Sequence, residues 1–383
     1  MRAAKFLSCI KWGLLCGPLL LAAGCGTHEA ARAAPKASKL EAPVKQVANQ
    51  ALVVKGSSGE GELPLYASAD ILARAPKIST VLIVIHGTLR NADTYFDTGK
   101  EIVAGAGKSD GTVMVVAPQF LTAPDVEKFS MSARTLRWSQ EGWKSGEPAL
   151  GPAPLSSFEA IDALLDHFAD KKRYPALTHV VVMGHSAGAQ ILQRYAAVGR
   201  GSAALARRGV PLRYVVANPS SYVYFSDERP APPAAGTCPA ATKWKYQLTG
   251  GPPYVAAQDP AEVEARYASR NVVYLLGQAD TDPYTHFIDR SCGGMAQGPN
   301  RLERGRAYFD YLTRRHPAGL NQKVVEVPGV GHNNPVSYTH LDVYKRQTLR
   351  NTSRKYRAAK PWDSASWAVR ICCARSMSGT APE

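Results

Sequence analysis

Long apolar runs are nearly missing from this 383-residue sequence; the only one lies at the N-terminus. Each helical membrane crossing needs about 20 apolar residues, so a polytopic membrane protein is excluded. Glycine (32) and proline (27) are near ordinary usage, which excludes a collagen-like or Gly/Pro-rich chain. No internal repeat is visible. Cysteine is scarce: of seven, three lie in the first 25 residues and two are the adjacent pair Cys372-Cys373. The body keeps only Cys238 and Cys292. In an oxidising compartment they would pair, and otherwise they are two separate thiols. What is present suits a folded protein: 45% apolar and 20% charged residues can bury a sizeable core.

Basic residues outnumber acidic ones, 46 to 31, for a net charge of +15. The excess is unevenly spread. Residues 1–25 hold three basic residues and no acid, and residues 336–383 hold nine basic residues against three acidic ones. The body between them is left with +6, an ordinary solvated surface for its size. No zinc-finger spacing and no aromatic-plus-basic RNA motif accompanies it, so no nucleic-acid partner is expected.

The chain opens like an export signal, with Arg2 and Lys5 ahead of an apolar stretch from Trp12 to Ala23 that Gly17-Pro18 interrupts. Leu21-Ala22-Ala23-Gly24-Cys25 then resembles a bacterial lipobox. That resemblance implies lipidation of Cys25, a membrane anchor, and a periplasmic or outer-membrane lipoprotein. The rival is cleavage near Ala31-Arg32-Ala33 and release as a soluble secreted protein. Residues 26–50, rich in Ala, Lys and Pro without a period, read as a flexible tether. At the other end, Val336-Ser337-Tyr338-Thr339-His340-Leu341-Asp342-Val343-Tyr344-Lys345-Arg346-Gln347 resembles a translated sequencing-adapter string. Residues 336–383 are therefore expected to be non-native or disordered, with a basic binding tail as the alternative.

Between the ends, strands and helices alternate. Val81–Ile85, Thr112–Ala117, Val180–Met183, Tyr214–Ala217, Val272–Leu276 and Lys323–Val327 are short β-branched apolar runs, as in buried parallel strands. A run near Leu52 adds an edge strand. Ser156–Asp170 reads as a helix with a Ser156/Glu159 capping box; Ala187–Val198 and Asn300–Arg315 are also helical. This pattern predicts an α/β fold with a doubly wound, mostly parallel sheet over residues 51–335. Residues 222–269, Pro-rich and aromatic, break the rhythm and read as a cap insertion over a pocket.

The third core strand runs into Gly184-His185-Ser186-Ala187-Gly188 with a helix directly after it. A nucleophile on so sharp a turn needs glycine neighbours, because strand and helix approach closely there. The turn places the Ser186 hydroxyl at the carboxyl edge of the sheet, where open α/β folds bind ligands. On this motif and its flanks, residues 52–335 resemble the α/β-hydrolase superfamily, with a serine esterase or lipase character.

The resemblance orders a triad as Ser, then acid, then His. His332 follows the last strand in Pro328-Gly329-Val330-Gly331-His332 and takes the base position. Gly277-Gln278-Ala279-Asp280-Thr281-Asp282 follows the penultimate strand and offers two acids. The family's spacing selects Asp280, with Asp282 as the alternative. A calcium site on this aspartate pair lacks other ligands. The backbone N–H of Ala187, and that of Thr88 in Ile85-His86-Gly87-Thr88, would form the oxyanion hole. His86, His179, His185 and His286 are weaker candidates for the base. Arg137–Trp143 could line the pocket or form a packing cluster. Asn218–Tyr222, at the end of the fourth core strand, could touch substrate.

The implied activity is hydrolysis of a small-molecule carboxylic ester through an acyl-enzyme, with no cofactor and no metal. A peptidase or amidase would use the same parts, and a non-catalytic surface-binding lipoprotein is the reading from another class. Nothing in the sequence sets an oligomeric state.

Overall fold

A computed structural model describes residues 40–332 of the chain, apart from His286. Eight strands form one sheet: β1 (Gln50–Gly56), β2 (Gly59–Ala67), β3 (Thr80–Ile85), β4 (Val113–Pro118), β5 (His179–His185), β6 (Leu212–Ala217), β7 (Asn271–Gly277) and β8 (Gln322–Val327). Their order is β1-β2-β4-β3-β5-β6-β7-β8. The β1–β2 and β2–β4 pairs are antiparallel, and β4-β3-β5-β6-β7-β8 is parallel throughout. This is the expected doubly wound, mostly parallel α/β sheet. In β1, Leu52 and Val54 are buried while Val53 points outward, as the period of two requires. The partner β2 is hidden in the sequence, because Gly59-Glu60-Gly61-Glu62 reads as loop.

The described helices are α1 (Ala92–Gly105), α2 (Ala123–Lys128), α3 (Ser157–Phe168), α4 (Ala187–Val198), α5 (Ser202–Arg207), α6 (Pro253–Ala256), α7 (Pro260–Ser269), α8 (Cys292–Met295) and α9 (Arg301–Arg315). Helix α3 starts at the expected capping box, with Ser156 N–H donating to Glu159 Oε2 at 2.7 Å. Both faces of the sheet are covered. Val81, Ile83, Val180, Val182 and Val216 pack with Phe158, Ile161 and Leu164 of α3 and Ile191 and Leu192 of α4. Leu82, Val84, Val181, Met183 and Val273 pack with Tyr95, Ile102 and Val103 of α1 on the other face. The inner strands are therefore apolar on both sides, which is why they read as unbroken runs. Among the described residues, no helix is long and apolar enough to cross a membrane.

Two expectations change. The tether is expected to extend to residue 50, but residues 40–49 are pinned to the domain. Val44 N–H donates to Asp125, Ala48 N–H donates to Gln119, and Val44 and Ala48 are buried. Their partners lie 81 and 71 residues away, beyond the reach of local pattern. The cap insertion is also smaller than 222–269. Tyr222 and Tyr224 are buried, and residues 260–269 are α7, the crossover from β6 to β7. Proline is the misleading signal. Pro260 occupies the first turn of α7, where its missing N–H costs nothing, and Asp259 caps the helix by accepting from Ala261 and Glu262. Of the two readings open for Arg137–Trp143, the structure favours packing: Trp138 and Trp143 are fully buried in the core beside Phe120 and His86. The expected signal, Cys25, residues 26–39 and the 333–383 segment lie outside the described residues.

Candidate active site

The parallel strands all end on one edge, and the loops leaving that edge carry the candidate residues. Ser186 follows β5 and directly precedes α4, with φ 58° and ψ −118°. A positive φ on a serine is strained, and the neighbours permit it by having no side chains. A Cβ on Gly184 would lie 2.2 Å from Gly188 O, and one on Gly188 would lie 2.3 Å from Ile85 O. Ser186 N–H is fixed to Ala217 O of β6 at 3.0 Å.

His332 and Asp280 meet Ser186 from β8 and β7. His332 Nε2 lies 2.9 Å from Ser186 Oγ, and His332 Nδ1 lies 2.8 Å from Asp280 Oδ2. Ser186 and His332 are partly exposed, whereas Asp280 is 1% exposed. Burial pushes the His332 pKa below its ordinary value. The hydrogen bond to Asp280 opposes that push, and the charge of Arg301 adds to it. His332 is therefore neutral near pH 7 and free to accept a proton.

Asp282 takes a different place. It is exposed, and its Oδ1 accepts from Tyr284 N–H at 2.8 Å, the turn role its position before Pro283 allows. Of the two acids, only Asp280 contacts His332 among the described bonds.

The Asp280 side also holds a residue that sequence reasoning misses. Arg301, at the start of α9, brings Nη1 to 3.5 Å from Asp280 Oδ1 with both side chains fully buried. The same nitrogen donates to Thr285 Oγ1 at 2.7 Å. Burial lowers the guanidinium pKa to about 10, partly offset by Asp280, so it stays charged at neutral pH. A polar residue at a helix start is the only sequence signal.

Asn218 is expected as a possible substrate contact. Instead it braces the acid and histidine loops. Its Oδ1 accepts from Gly277 N–H at 2.9 Å, and its Nδ2 donates to Gly331 O at 3.4 Å. Ala279 N–H reaches Val330 O at 2.9 Å, joining the two loops directly.

Thr88 and Ala187 lie at the ends of two elements that touch. Gly188, next to Ala187, abuts the backbone of Ile85 and His86. His86 is a bracing residue: its Nε2 accepts from Phe120 N–H at 2.9 Å, and burial lowers its pKa to about 4. His185 is buried with its ring 4.8 Å from that of His332, its pKa held well below the ordinary value by burial and by His332. His179 sits at the outer start of β5, and His286 lies outside the described residues. Cys238 and Cys292 are joined by a disulfide, linking the insertion to the segment between Asp280 and α9.

A serine, a neutral histidine and a buried aspartate in one hydrogen-bonded line can activate a hydroxyl for attack on a carbonyl. A profile of the Alpha/beta hydrolase family matches residues 82–344. The chain belongs to that family. Among solved structures, poly(aspartic acid) hydrolase-1 from Sphingomonas sp. KT-1 is similar at 22% identity and a TM-score of 0.52. That match covers 81% of this chain and 99% of the other. LpqC, a poly(3-hydroxybutyrate) depolymerase from Bordetella parapertussis, is similar at 18% identity and a TM-score of 0.52, over 75% of this chain and 85% of the other. Both likenesses bear on the fold. A comparison with curated proteins gave no match. Membership of the alpha/beta hydrolase family makes hydrolysis the activity class of this site.

Proposed function

We propose that the protein is an exported serine hydrolase that cleaves a carboxylic ester through an acyl-enzyme. The observation that carries the reading is the line from Ser186 Oγ through His332 to Asp280, at 2.9 and 2.8 Å. Ser186 Oγ attacks the acyl carbon while His332 Nε2 takes its proton. Asp280 holds Nδ1–H and stabilises the imidazolium. The carbonyl oxygen gains the electron pair and is met by the N–H groups of Ala187 and Thr88. The tetrahedral species collapses, the C–O bond to the alcohol breaks, and His332 returns the proton to the leaving oxygen. Water then repeats the sequence on the acyl-serine and releases the acid. The reaction uses no cofactor.

The carboxylic ester is the default for this family's chemistry. A p-nitrophenyl ester and p-nitroanilide pair with one acyl group separates it from an amidase or peptidase reading. Export is supported by the N-terminal signal pattern and by the Cys238–Cys292 disulfide, which suits an oxidising compartment. Anchorage through lipid at Cys25 belongs to the same proposal.

A fluorophosphonate probe should label the wild-type protein and not Ser186→Ala, and Ser186→Ala should lower kcat by about 10⁴–10⁶. The rise of kcat/KM with pH should be centred below the ordinary histidine value of about 6.5, since the His332 pKa is lowered. An unlabelled wild type would sink the enzyme reading.

A further inference from the structure

Thr88 is held from behind by a chain of side chains that ends at the N-terminal segment. Gln140 Nε2 donates to Thr88 O at 2.9 Å and to Thr88 Oγ1 at 3.2 Å. Gln140 Oε1 in turn accepts from Arg90 Nη1. Arg90 is two residues beyond Thr88, 1% exposed, and has φ 58°. Its guanidinium meets Asp125 through Nε at 2.7 Å and Nη2 at 3.1 Å. It also donates to Leu40 O and Ala42 O, each at 2.9 Å. With Gln140, these contacts occupy all five N–H groups of the fork.

The rest of residues 40–48 is gripped in the same way. Val44 N–H donates to Asp125 Oδ1 at 2.8 Å, and Lys128 Nζ donates to Val44 O at 2.8 Å. Gln119 Nε2 donates to both Gln46 O and Arg90 O, at 3.0 and 2.9 Å, and Gln119 Oε1 accepts from Ala48 N–H. Burial would raise the Asp125 pKa, but its bonds to Arg90, Thr122 and Val44 hold it below the ordinary value, so this carboxylate stays charged.

We propose that residues 40–48 form a strap that sets the Thr88 turn through Arg90 and Gln140, so that the oxyanion site is complete only while the strap is seated. The inference rests on the reading of Ser186 as nucleophile and Thr88 as oxyanion donor. The physical reason is the geometry of arginine. Its five donors are rigidly arranged, and a buried donor without an acceptor is costly. Loss of the strap strips the acceptors Leu40 O and Ala42 O from Arg90. The guanidinium must turn or take up water, and Gln140 and the Thr88 peptide move with it. A misplacement of about 1 Å at a reacting centre can cost on the order of 10² in rate.

Gln140→Glu in the full chain separates positioning from stability. The carboxylate keeps an acceptor for Arg90 but has no N–H for Thr88. The expected result is a melting temperature lowered by no more than about 5 °C, a fall in kcat of about 10–100-fold and a KM within about twofold, because the oxyanion forms only on the reaction path. Val44→Pro removes the strap N–H given to Asp125 and should also lower kcat. Should it fail to fold, Ala48→Pro, which removes the N–H given to Gln119, replaces it. Because the strap acts through Gln140, the double variant should be no slower than the slower single variant. A wild-type kcat in Gln140→Glu, or losses that add in the double variant, would overturn the proposal alone. A wild type that a fluorophosphonate leaves unlabelled would overturn the reading beneath it, and the proposal with it.

Discussion

Asp280 is buried and Asp282 is exposed, although one residue separates them. A side chain's surroundings decide its role. Asp280 lies at the closed edge of the sheet, between His332 Nδ1 at 2.8 Å and Arg301 at 3.5 Å. Asp282 ties its own turn through Tyr284 N–H. Asp280→Asn should lower kcat by about 10³–10⁴, since an amide presents the wrong partner to the imidazole. Asp282→Asn should stay within about twofold, because asparagine keeps the acceptor oxygen that the turn uses. Comparable losses in steady-state kinetics of the two variants would reject the assignment. The spacing that the hydrolase resemblance brings favours Asp280 in the sequence and leaves Asp282 open, whereas Arg301 is illegible there. An arginine in a polar helix start looks solvated until the fold buries it against the carboxylate of Asp280, on a different element.

At the scale of elements, the turn between β5 and α4 is the most legible feature, because its requirement is local. Two glycines must flank a strained serine wherever a strand and helix meet this closely. Gly188→Ala tests it: the new Cβ would lie 2.3 Å from Ile85 O and 2.6 Å from His86 O, both backbone atoms that cannot swing aside. We expect a destabilisation of about 1–3 kcal/mol from overpacking. The rate of fluorophosphonate labelling should fall at least about tenfold, as Ser186 and Ala187 shift. Normal labelling in a folded variant would show that the close approach is dispensable. The inner strands are equally legible, since burial on both faces leaves an apolar run. Elements defined by distant partners are not. The strap has little hydrophobic pattern and is held by Arg90, Gln119, Asp125 and Lys128, all more than 40 residues along the chain. Helix α7 is hidden by Pro260, which starts the helix where a reading by local signals places a break.

For the whole molecule, compartment and stability are linked through one covalent bond. The Cys238–Cys292 disulfide spans 54 residues and joins the insertion after β6 to the segment between Asp280 and α9. In the chain-entropy account, closing a loop of that length restrains the unfolded chain by about 4 kcal/mol, and measured bridges typically contribute about 2–4 kcal/mol. Such a bond persists where glutathione does not reduce it, which is the compartment that the proposed export implies. The proposed lipid at Cys25 would then hold the domain at a membrane surface, since acyl chains supply the anchoring. The anchor and the bridge are tested together on protein isolated from cells without reductant. Wild type should fractionate with membranes, and Cys25→Ser should be soluble. Non-reducing peptide mapping of both should recover Cys238 joined to Cys292. Adding reductant should lower the melting temperature of both by about 3–7 °C, the shift that about 2–4 kcal/mol produces in a domain of this size. Soluble wild type would favour release after cleavage near Ala33 and leave the bridge untouched. Free thiols at Cys238 and Cys292, or a melting temperature that reductant does not move, would remove the oxidising compartment from the argument and the bridge from the stability of the fold.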